Sequence, residues 1–443
     1  MTATTVREEN VTRPRGPVLA AVTLGFAVIQ LDVSVVNVAV KALAAGLGAS
    51  VGGVQWVVDA YTLTFAALIL SAGALGDRTG ARRMLLAGFC VFIVASVACG
   101  ASVSVGMLIG ARLVQGAGAA ALGACSLALL SHTYPDPGER VRAVGIWAAG
   151  GSAALAAGPL TGGVLIALLG WRAIFFINVP LGLAGCWLLW RYAAETPPAR
   201  DRAVDLPGQV LSVAALVALA WATITAGSRG FGSWPVLAGY GVALAATAAF
   251  VVVERRRERP MVPLELLRSR PMSIGFLINV VFYGLIFAFS LFLQRRDGWS
   301  ALDAGLAFLP VMLAIGTSNV FGARWFRWRT VVVGSVLMGA GCLMMVASLA
   351  LPVLIAGLSV TGFGIGLIGP AITSSPLGSV DRSRSGVASG TLTAFRQTGS
   401  MLGVALFGSL VAGQGLAGGL RLACVLSAGV LLGVTLLGWG SRD

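Results

Sequence analysis

Charged residues are scarce in this sequence. Of its 443 residues, 11% are charged and 57% are hydrophobic, and the mean hydropathy is +0.90. Soluble domains are about one-half apolar and about one-quarter charged. The composition therefore excludes a soluble globular protein and predicts an all-α integral membrane protein.

Lysine and histidine each occur only once, as Lys41 and His132. A Walker-type phosphate loop needs a lysine after its glycines, so ATP hydrolysis by such a loop is excluded. A single histidine without a cluster of cysteine or carboxylate residues predicts no metal site. His132 is expected to be a polar residue at the cytoplasmic end of the fourth helix, and no other histidine is left to act as the base of a serine hydrolase. We therefore expect neither an enzyme nor a cofactor.

Cysteines that could pair are also missing. The six cysteines all fall within apolar segments and form no close pair in the sequence. We expect them to pack as small side chains, without disulfide or metal roles.

Long apolar runs are abundant. A helix that crosses the bilayer core needs about 20 apolar residues, and the sequence contains fourteen such segments. They lie at residues 17–40, 54–75, 84–104, 107–131, 143–168, 173–191, 206–227, 234–253, 272–294, 303–322, 330–350, 353–375, 386–411 and 420–439.

Arginines are distributed unevenly between the two sides that these spans define. With a cytoplasmic N-terminus, the cytoplasmic side receives most of them, including the run ERRRERPMVPLELLRSR at 254–270. The positive-inside rule then predicts a multi-pass protein of the plasma membrane, the bacterial inner membrane, with both termini cytoplasmic. The net charge of +14 is explained by topology and contact with anionic lipid. We expect the lipid bilayer, and no nucleic acid, as a partner.

Four charged residues remain inside the predicted spans: Asp32, Asp59, Arg112 and Arg396. Asp32 interrupts the apolar run VIQLDVSVVNVAV, although an ionised aspartate at the bilayer centre costs about 2.5 to 3.5 kcal/mol. Asp32 and Arg112 both lie about 12 Å from the outer ends of their helices, so they are predicted to meet. Such groups normally mark a substrate or ion route, but a purely structural ion pair stays an alternative.

Glycine-rich segments mark two further places. GARLVQGAGAAAL sets Arg112, Gln115 and Gly116 on one helix face. GSAALAAGPLTGG places a proline, which kinks a helix, among small residues that allow close packing. These residues are Gly158, Pro159, Gly162 and Gly163.

The ordered motifs of the sequence resemble those of the major facilitator superfamily. GALGDRTGARRMLL is similar to its signature cytoplasmic loop, GARLVQGAGAA to its fourth-helix motif and AAGPLTGG to its antiporter motif on the fifth helix. LDVSVVNVAV, QWVVDAYTL, WRAIFFINVPLGL, GWSALDAGLAFLP and SGVASGTLTAFRQTGSMLGVA resemble the fourteen-span drug/proton antiporter branch.

The resemblance implies two six-helix bundles with two extra central helices between them. The corresponding divisions are a cytoplasmic tail at 1–16, a first bundle at 17–191, a linker region with the extra helices at 192–271 and a second bundle at 272–443.

The resemblance also implies a gating loop, in which Asp77 docks near a helix terminus of the other bundle. The sequence departs from the family at Ala81, where a basic residue is usual, and its second-half loop GARWFRWRT lacks the aspartate. The predicted gating residues are Gly73, Asp77, Arg78, Gly80 and Arg82.

The intramembrane carboxylates suggest a mechanism. A carboxylate that is neutral when it faces one side of the membrane and ionised when it faces the other can carry a proton. We predict Asp32 as the leading proton-coupling residue, with Arg112 tuning it and Asp59 as a second acidic group. The predicted substrate cavity contains Asp32, Asp59, Trp56, Tyr61, Gln115 and Arg396.

The predicted function is proton-coupled efflux of lipophilic small molecules such as drugs or antibiotics, by a protein that works as a monomer. The acidity of the predicted cavity suggests cationic substrates, while aromatic residues such as Trp56, Tyr61 and Phe287 suit neutral polycyclic substrates equally well. An exporter of an endogenous metabolite or siderophore is the alternative. A channel or a receptor fits less well, because the sequence contains neither a ring of pore-lining polar residues nor a large soluble segment.

Overall fold

A computed structural model describes residues 15–196, 205–257, 269–296, 299–324, 328–378 and 385–439. Over these residues the chain is helical and contains no strand. The helices are α1 (Arg15–Val38), α2 (Val40–Leu47), α3 (Val51–Thr79), α4 (Ala81–Gly100), α5 (Val105–Thr133), α6 (Pro137–Leu169), α7 (Ala173–Phe176), α8 (Asn178–Tyr192), α9 (Leu206–Arg229), α10 (Trp234–Arg256), α11 (Arg270–Arg296), α12 (Ala301–Arg324), α13 (Trp328–Ala347), α14 (Leu351–Gly378) and α15 (Ser385–Trp439).

Local sequence signals set the helix ends. Ser50 and Ser104 cap α3 and α5, because their hydroxyls accept the backbone N–H groups of residues 53 and 107. Asp136 caps α6 and is followed by a proline in the first turn, where a missing N–H costs nothing. Helix α6 ends at Gly170, whose φ of +83° suits glycine.

The predicted number of membrane crossings is confirmed. Thirteen segments of the described residues are long and apolar enough to span a membrane. The last of them covers 49 residues and turns at Gly415, whose φ is +75°, so it provides two crossings. The fourteen predicted spans are therefore accounted for. Two details differ: the first span ends at Val38 and is followed by α2, and α15 stays helical between 411 and 420 except at its turn.

Two bundles form the body of the protein. Helices α1 and α3 to α8 pack with one another, and α11 to α15 form a second set. The main contacts between the sets are those of α3 with α15 and of α6 with α12. This is the architecture that the sequence predicts, while the residue boundaries of the divisions stay a prediction.

The helix ends lie at two opposite faces of the protein. We call the end that carries Lys41, Ser102 and Trp299 the distal face, and the end that carries Arg15 and Arg82 the proximal face. A contact at the distal face supports this grouping: the Lys41 Nζ donates to the Trp299 carbonyl oxygen at 3.4 Å. The predicted orientation makes the proximal face cytoplasmic.

The first extra helix, α9, lies in the groove between the two bundles. Near the proximal end, the Gln209 Nε2 donates to the Ala67 carbonyl oxygen of α3 at 2.8 Å. Near the distal end, the Ser409 hydroxyl of α15 donates to the Thr223 carbonyl oxygen at 2.6 Å. Helix α9 is thus attached to both bundles, and α10 packs on its outer side.

Candidate functional site

Asp32 lies inside the first bundle and is fully paired. Its carboxylate accepts a hydrogen bond from the Arg112 guanidinium of α5, with which it forms an ion pair. The other carboxylate oxygen accepts from the Gln115 Nε2 and from the Asn178 Nδ2, each at 2.9 Å. Asp32, Gln115 and Asn178 are 0% exposed and Arg112 is 1% exposed. The predicted contact between Asp32 and Arg112 is present.

Arg112 is held on every side. Its Nε donates to the Val57 carbonyl oxygen of α3 at 3.1 Å, and its Nη1 also donates to the Gln115 Oε1 at 2.7 Å. The Tyr61 ring lies 4.2 Å below the guanidinium carbon, within the range of a cation–π contact. Charge compensation, hydrogen bonds and an aromatic face together offset the cost of burying this cation.

Two members of this network are absent from the predicted site. Asn178 is the first residue of α8 and donates to Asp32. Ser96 of α4 accepts from the Gln115 Nε2 at 2.9 Å. Asn178 is the one strongly polar side chain in the apolar segment IFFINVPLGL, and an isolated amide of that kind is the sequence signal for it. Ser96 has no comparable signal, because serine is common in tightly packed membrane helices.

Asp59 does not join this network. It lies one helical turn from Gln55, which donates to the Ala405 carbonyl oxygen at 2.9 Å, and one turn from Leu63, which packs against Met401 and Ala220. Asp59 therefore faces the groove between α3, α15 and α9. It is 0% exposed, and both carboxylate oxygens lack a hydrogen-bond partner among the described residues.

The other predicted cavity residues are dispersed. Tyr61 packs on Arg112 inside the first bundle, while Trp56 packs on the Asp59 side of α3 with Leu216 of α9. Arg396 lies on α15 beside α11 and acts electrostatically on Tyr283. Within the described residues, Arg396 forms no ion pair. The predicted set thus lies in three places, and its role in substrate binding stays a prediction.

A narrow cleft lies between the two bundles. Four helices contribute to it: α1, α6, α11 and α12. Among the described residues, no charged side chain lines it. Its polar members are Ser34, Asn37 and the Tyr283 hydroxyl, and the full lining is Ser34, Asn37, Val38, Leu155, Pro159, Phe282, Tyr283, Ile286, Phe308 and Met312.

The predicted antiporter helix forms one wall of this cleft. Gly158 and Gly162 of α6 face Ser34 and Val35 of α1, so closely that a side chain at Gly158 would collide with Ser34. Gly163 is buried beside them. On the other side, the Pro159 carbonyl lies against Gly305 of α12. Small residues therefore let α1 of the first bundle and α12 of the second pack closely on α6 at the same level.

The predicted gating loop lies at the proximal face between α3 and α4. Gly80 has a φ of +103°, which suits glycine. Gly73 packs against Ala124 within the first bundle, and Asp77 is partly buried while Arg78 is exposed. The Arg82 Nη2 donates to the Trp190 carbonyl oxygen at 2.7 Å.

A carboxylate outside the predicted set caps the helix after this loop. Glu195 accepts the backbone N–H groups of Arg82 at 3.0 Å and Arg83 at 3.2 Å. The Thr196 hydroxyl accepts the Ala81 N–H at 2.7 Å. A negative charge at a helix N-terminus is stabilised by the helix dipole, so Glu195 fixes the end of α4 against the segment after α8. The predicted docking of Asp77 on the other bundle stays a prediction.

Known proteins resemble the chain over most of its length. The sequence profile of the Major Facilitator Superfamily matches residues 22–404. The chain is 38% identical over 409 residues to the methylenomycin A resistance protein of Bacillus subtilis strain 168. The match covers 89% of this chain and 87% of that protein. It is 34% identical over 417 residues to the tetracenomycin C resistance and export protein of Streptomyces glaucescens, with coverages of 90% and 76%.

A solved structure shows the same fold. A bacterial homologue of the human lysosomal transporter Spinster, crystallised in an inward-facing and unoccupied conformation, superposes with a TM-score of 0.65 at 17% identity. The match covers 96% of both chains.

Proposed function

The chain belongs to the major facilitator superfamily, and from that premise we propose that it exports lipophilic small molecules from a bacterial cell in exchange for protons. The family consists of membrane transporters and not of enzymes, and the relatives are named for antibiotic resistance. In this proposal the proximal face is cytoplasmic, and the two bundles rock to open the cleft to each side in turn.

One observation carries the proposal: α1 connects a titratable group to the cleft. Asp32 faces the interior of the first bundle, whereas Ser34 and Asn37, on the same helix, line the cleft. The position of α1 depends on the charge of Asp32, because three side chains from α5 and α8 bind that carboxylate. Protonation of Asp32 therefore changes the contacts that position α1, which forms part of the cleft wall.

Protonation of Asp32 would release Arg112. A neutral carboxyl group no longer compensates the guanidinium, and a buried charge that loses its partner costs about 3 to 5 kcal/mol. That cost favours a rearrangement in which Arg112 finds another partner or water. Each proton that moves inward yields about 2.3 kcal/mol per 100 mV of membrane potential, which suffices to drive an outward substrate step.

Asp59 complements Asp32 in this scheme. An ionised carboxylate with no partner is expensive to bury, so the neutral form of Asp59 fits its surroundings in this conformation. Asp32, by contrast, has a full set of donors for its ionised form. We propose that Asp59 holds a proton while Asp32 is ionised, and that rocking along the α3–α15 groove exposes Asp59.

The substrate is uncharged or acidic in this proposal. Among the described residues the cleft has an apolar lining with no carboxylate, and the charged side chain near its Tyr283 is the cation Arg396. A cationic substrate would meet no compensating charge there, and the two buried aspartates lie outside the cleft lining. The sequence leaves cationic and neutral substrates both open, and the cleft lining favours the uncharged class in this proposal.

The test begins in cells that lack their own pumps. Wild type, Asp32→Asn and the control Ser335→Ala are expressed, and susceptibility to a panel of cationic, neutral and acidic lipophilic antibiotics is measured. Ser335 is a suitable control because its buried hydroxyl bonds only its own helix, at 2.7 Å to the Val331 carbonyl oxygen. We expect resistance to neutral or acidic compounds, lost in Asp32→Asn alone. Protection against cations only would contradict the proposed substrate class, and full protection by Asp32→Asn would contradict the coupling role.

A further inference from the structure

Helix α1 is broken at a place where its sequence contains no helix breaker. Helix α1 ends at Val38, and α2 begins at Val40. Residues 33–41 read VSVVNVAVK and contain neither proline nor glycine. In a continuous helix the N–H of Lys41 would bond to the carbonyl oxygen of Asn37. Here the Ala39 N–H bonds to Val36, three residues back, at 3.1 Å, and α2 starts a new set of bonds.

Two side chains of the second bundle bond to the two backbone groups that the break separates. The Ser290 hydroxyl of α11 donates to the Asn37 carbonyl oxygen at 2.5 Å. The Gln294 Oε1, also of α11, accepts the Lys41 backbone N–H at 3.0 Å. Both groups that a continuous helix would join are therefore paired with α11 instead.

The two side chains act as a unit. The Gln294 Nε2 donates to the Ser290 hydroxyl oxygen at 2.8 Å, so the bridge is continuous from the Asn37 carbonyl to the Lys41 N–H. Ser290 is 0% exposed and Gln294 is 1% exposed, so water does not provide alternative partners. Sharp helix bends have identifiable causes, and a side chain inserted into the backbone hydrogen bonds is one of them. The tertiary contact, and not the local sequence, maintains this break.

We propose that this bridge is the distal gate of the transporter. While the bundles meet at the distal face, Ser290 and Gln294 maintain the break between α1 and α2. When the bundles separate there, the Lys41 N–H returns to the Asn37 carbonyl oxygen, and α1 and α2 become one helix. The backbone groups are paired in both states, which keeps the exchange reversible where unpaired polar groups are costly.

The location of the bridge fits this role. Asn37 and Val38 line the cleft, and the bridge lies immediately on their distal side. Opening it would therefore connect the cleft with the distal face. The inference rests on the proposed alternation between two faces, and it adds the residues that close one of them.

Two substitutions with opposite effects test the gate. Ser290→Ala combined with Gln294→Leu removes the bridge, so the distal-open state should gain roughly fivefold in population for each hydrogen bond lost. Lys41→Pro removes the N–H, which costs one hydrogen bond in each state: the bond to Gln294 in the broken helix and the bond to Asn37 in the continuous one. Its ring clashes with the Asn37 carbonyl only in the continuous helix, so the net effect disfavours that form. In the broken form the same proline lies in the first turn of α2, where proline is tolerated. Lys41→Pro should therefore favour the distal-closed state.

Controls separate the gate from general effects. Lys41→Ala removes the same side chain, including its contact with Trp299, but keeps the N–H. Ser335→Ala removes a buried hydroxyl that bonds only within α13. Ser290→Ala alone is a milder form of the bridge removal, in case the double variant does not fold.

The readout is a distance across the distal face. Spin labels are placed at Ala45→Cys and Leu306→Cys, two exposed positions on α2 and α12, in a full-length chain without its native cysteines. We expect a longer distance population in the bridge-free variants and a shorter one in Lys41→Pro than in Lys41→Ala. The proposal is overturned if Lys41→Pro matches Lys41→Ala, or if bridge removal leaves the distances of the wild type. The measurement needs neither substrate nor a pH gradient, so its outcome is independent of whether export is proton-coupled.

Discussion

The Ser34 hydroxyl of α1 donates a hydrogen bond of 2.8 Å to the Leu155 carbonyl oxygen of α6. In a regular helix this oxygen would accept the N–H of residue 159, which is a proline and has none. Pro159 of α6 therefore leaves one backbone acceptor without its helical donor, and the neighbouring helix supplies the replacement. This contact fixes α1 to α6 at the wall of the cleft.

Removing the Ser34 hydroxyl should destabilise the protein, because the partly buried Leu155 carbonyl loses its donor. We expect Ser34→Ala to cost about 1 to 3 kcal/mol. Adding Pro159→Ala restores a helical N–H to the Leu155 carbonyl, so the double variant should recover most of the loss. Thermal unfolding in detergent measures both effects. Ser359→Ala is a matched control, since its hydroxyl bonds within its own helix to the Ile355 carbonyl oxygen at 2.7 Å. Equal losses in the single and double variants would show that the hydroxyl does not substitute for the missing N–H.

Asp32→Asn should abolish export driven by a pH gradient, because asparagine cannot exchange a proton. The variant should also fold less stably, since Arg112 loses its counter-charge. Downhill movement of substrate should persist. The measurement is proton release on addition of an exported compound to reconstituted vesicles, with expression level as the check on folding. Wild-type proton release in Asp32→Asn would leave the ion pair with a structural role only.

Asp59→Asn should behave differently from Asp32→Asn. Asp59 has no hydrogen-bond partner among the described residues, so replacing it with a side chain that is neutral at every pH should leave folding unchanged or improve it. If Asp59 shares the coupling, proton release per substrate should fall while the yield of folded protein is retained. Thermal unfolding and the same vesicle assay distinguish these effects. A loss of folding stability as large as that of Asp32→Asn would mean that the ionised form of Asp59 is stabilised by its surroundings.

Glu195→Gln should loosen the proximal end of α4. The substitution keeps one acceptor oxygen for the backbone N–H groups but removes the charge that the helix dipole favours, which costs about 0.3 to 1 kcal/mol.

By comparison, Asp77→Asn should impair alternation between states and leave substrate binding largely intact, as the predicted gating role requires. Binding affinity and transport rate are measured for both variants. A parallel fall in binding and transport in Asp77→Asn would indicate a folding or binding defect instead of a gating role.

The orientation can be tested at the two extra helices. Arg229, at the distal end of α9, and Arg255, near the proximal end of α10, are both exposed. In intact cells, a membrane-impermeant thiol reagent should label Arg229→Cys and not Arg255→Cys in a cysteine-free chain. Permeabilised cells provide the control for reactivity at residue 255. Labelling of both positions from outside would overturn the predicted topology.

The sequence alone determined the number of crossings and the main ion pair. The length of an apolar run and the side on which arginines accumulate are local properties, so fourteen spans could be counted without a structure. Equal depth on antiparallel helices sufficed to pair Asp32 with Arg112, because a buried charge needs a partner and few were available. The helix caps at Ser50, Ser104 and Asp136 are local signals of the same kind.

Tertiary structure decided which partners each buried polar group has. Asp32 and Asp59 are alike in the sequence, yet one is bound by three side chains and the other has no hydrogen-bond partner among the described residues and faces the second bundle. The break after Val38 has no local cause, because the groups that hold it, Ser290 and Gln294, lie about 250 residues further along the chain. Contacts of that range depend on how the bundles meet. In the proposed alternation, such contacts would change as the bundles move, whereas the local signals would persist in every state.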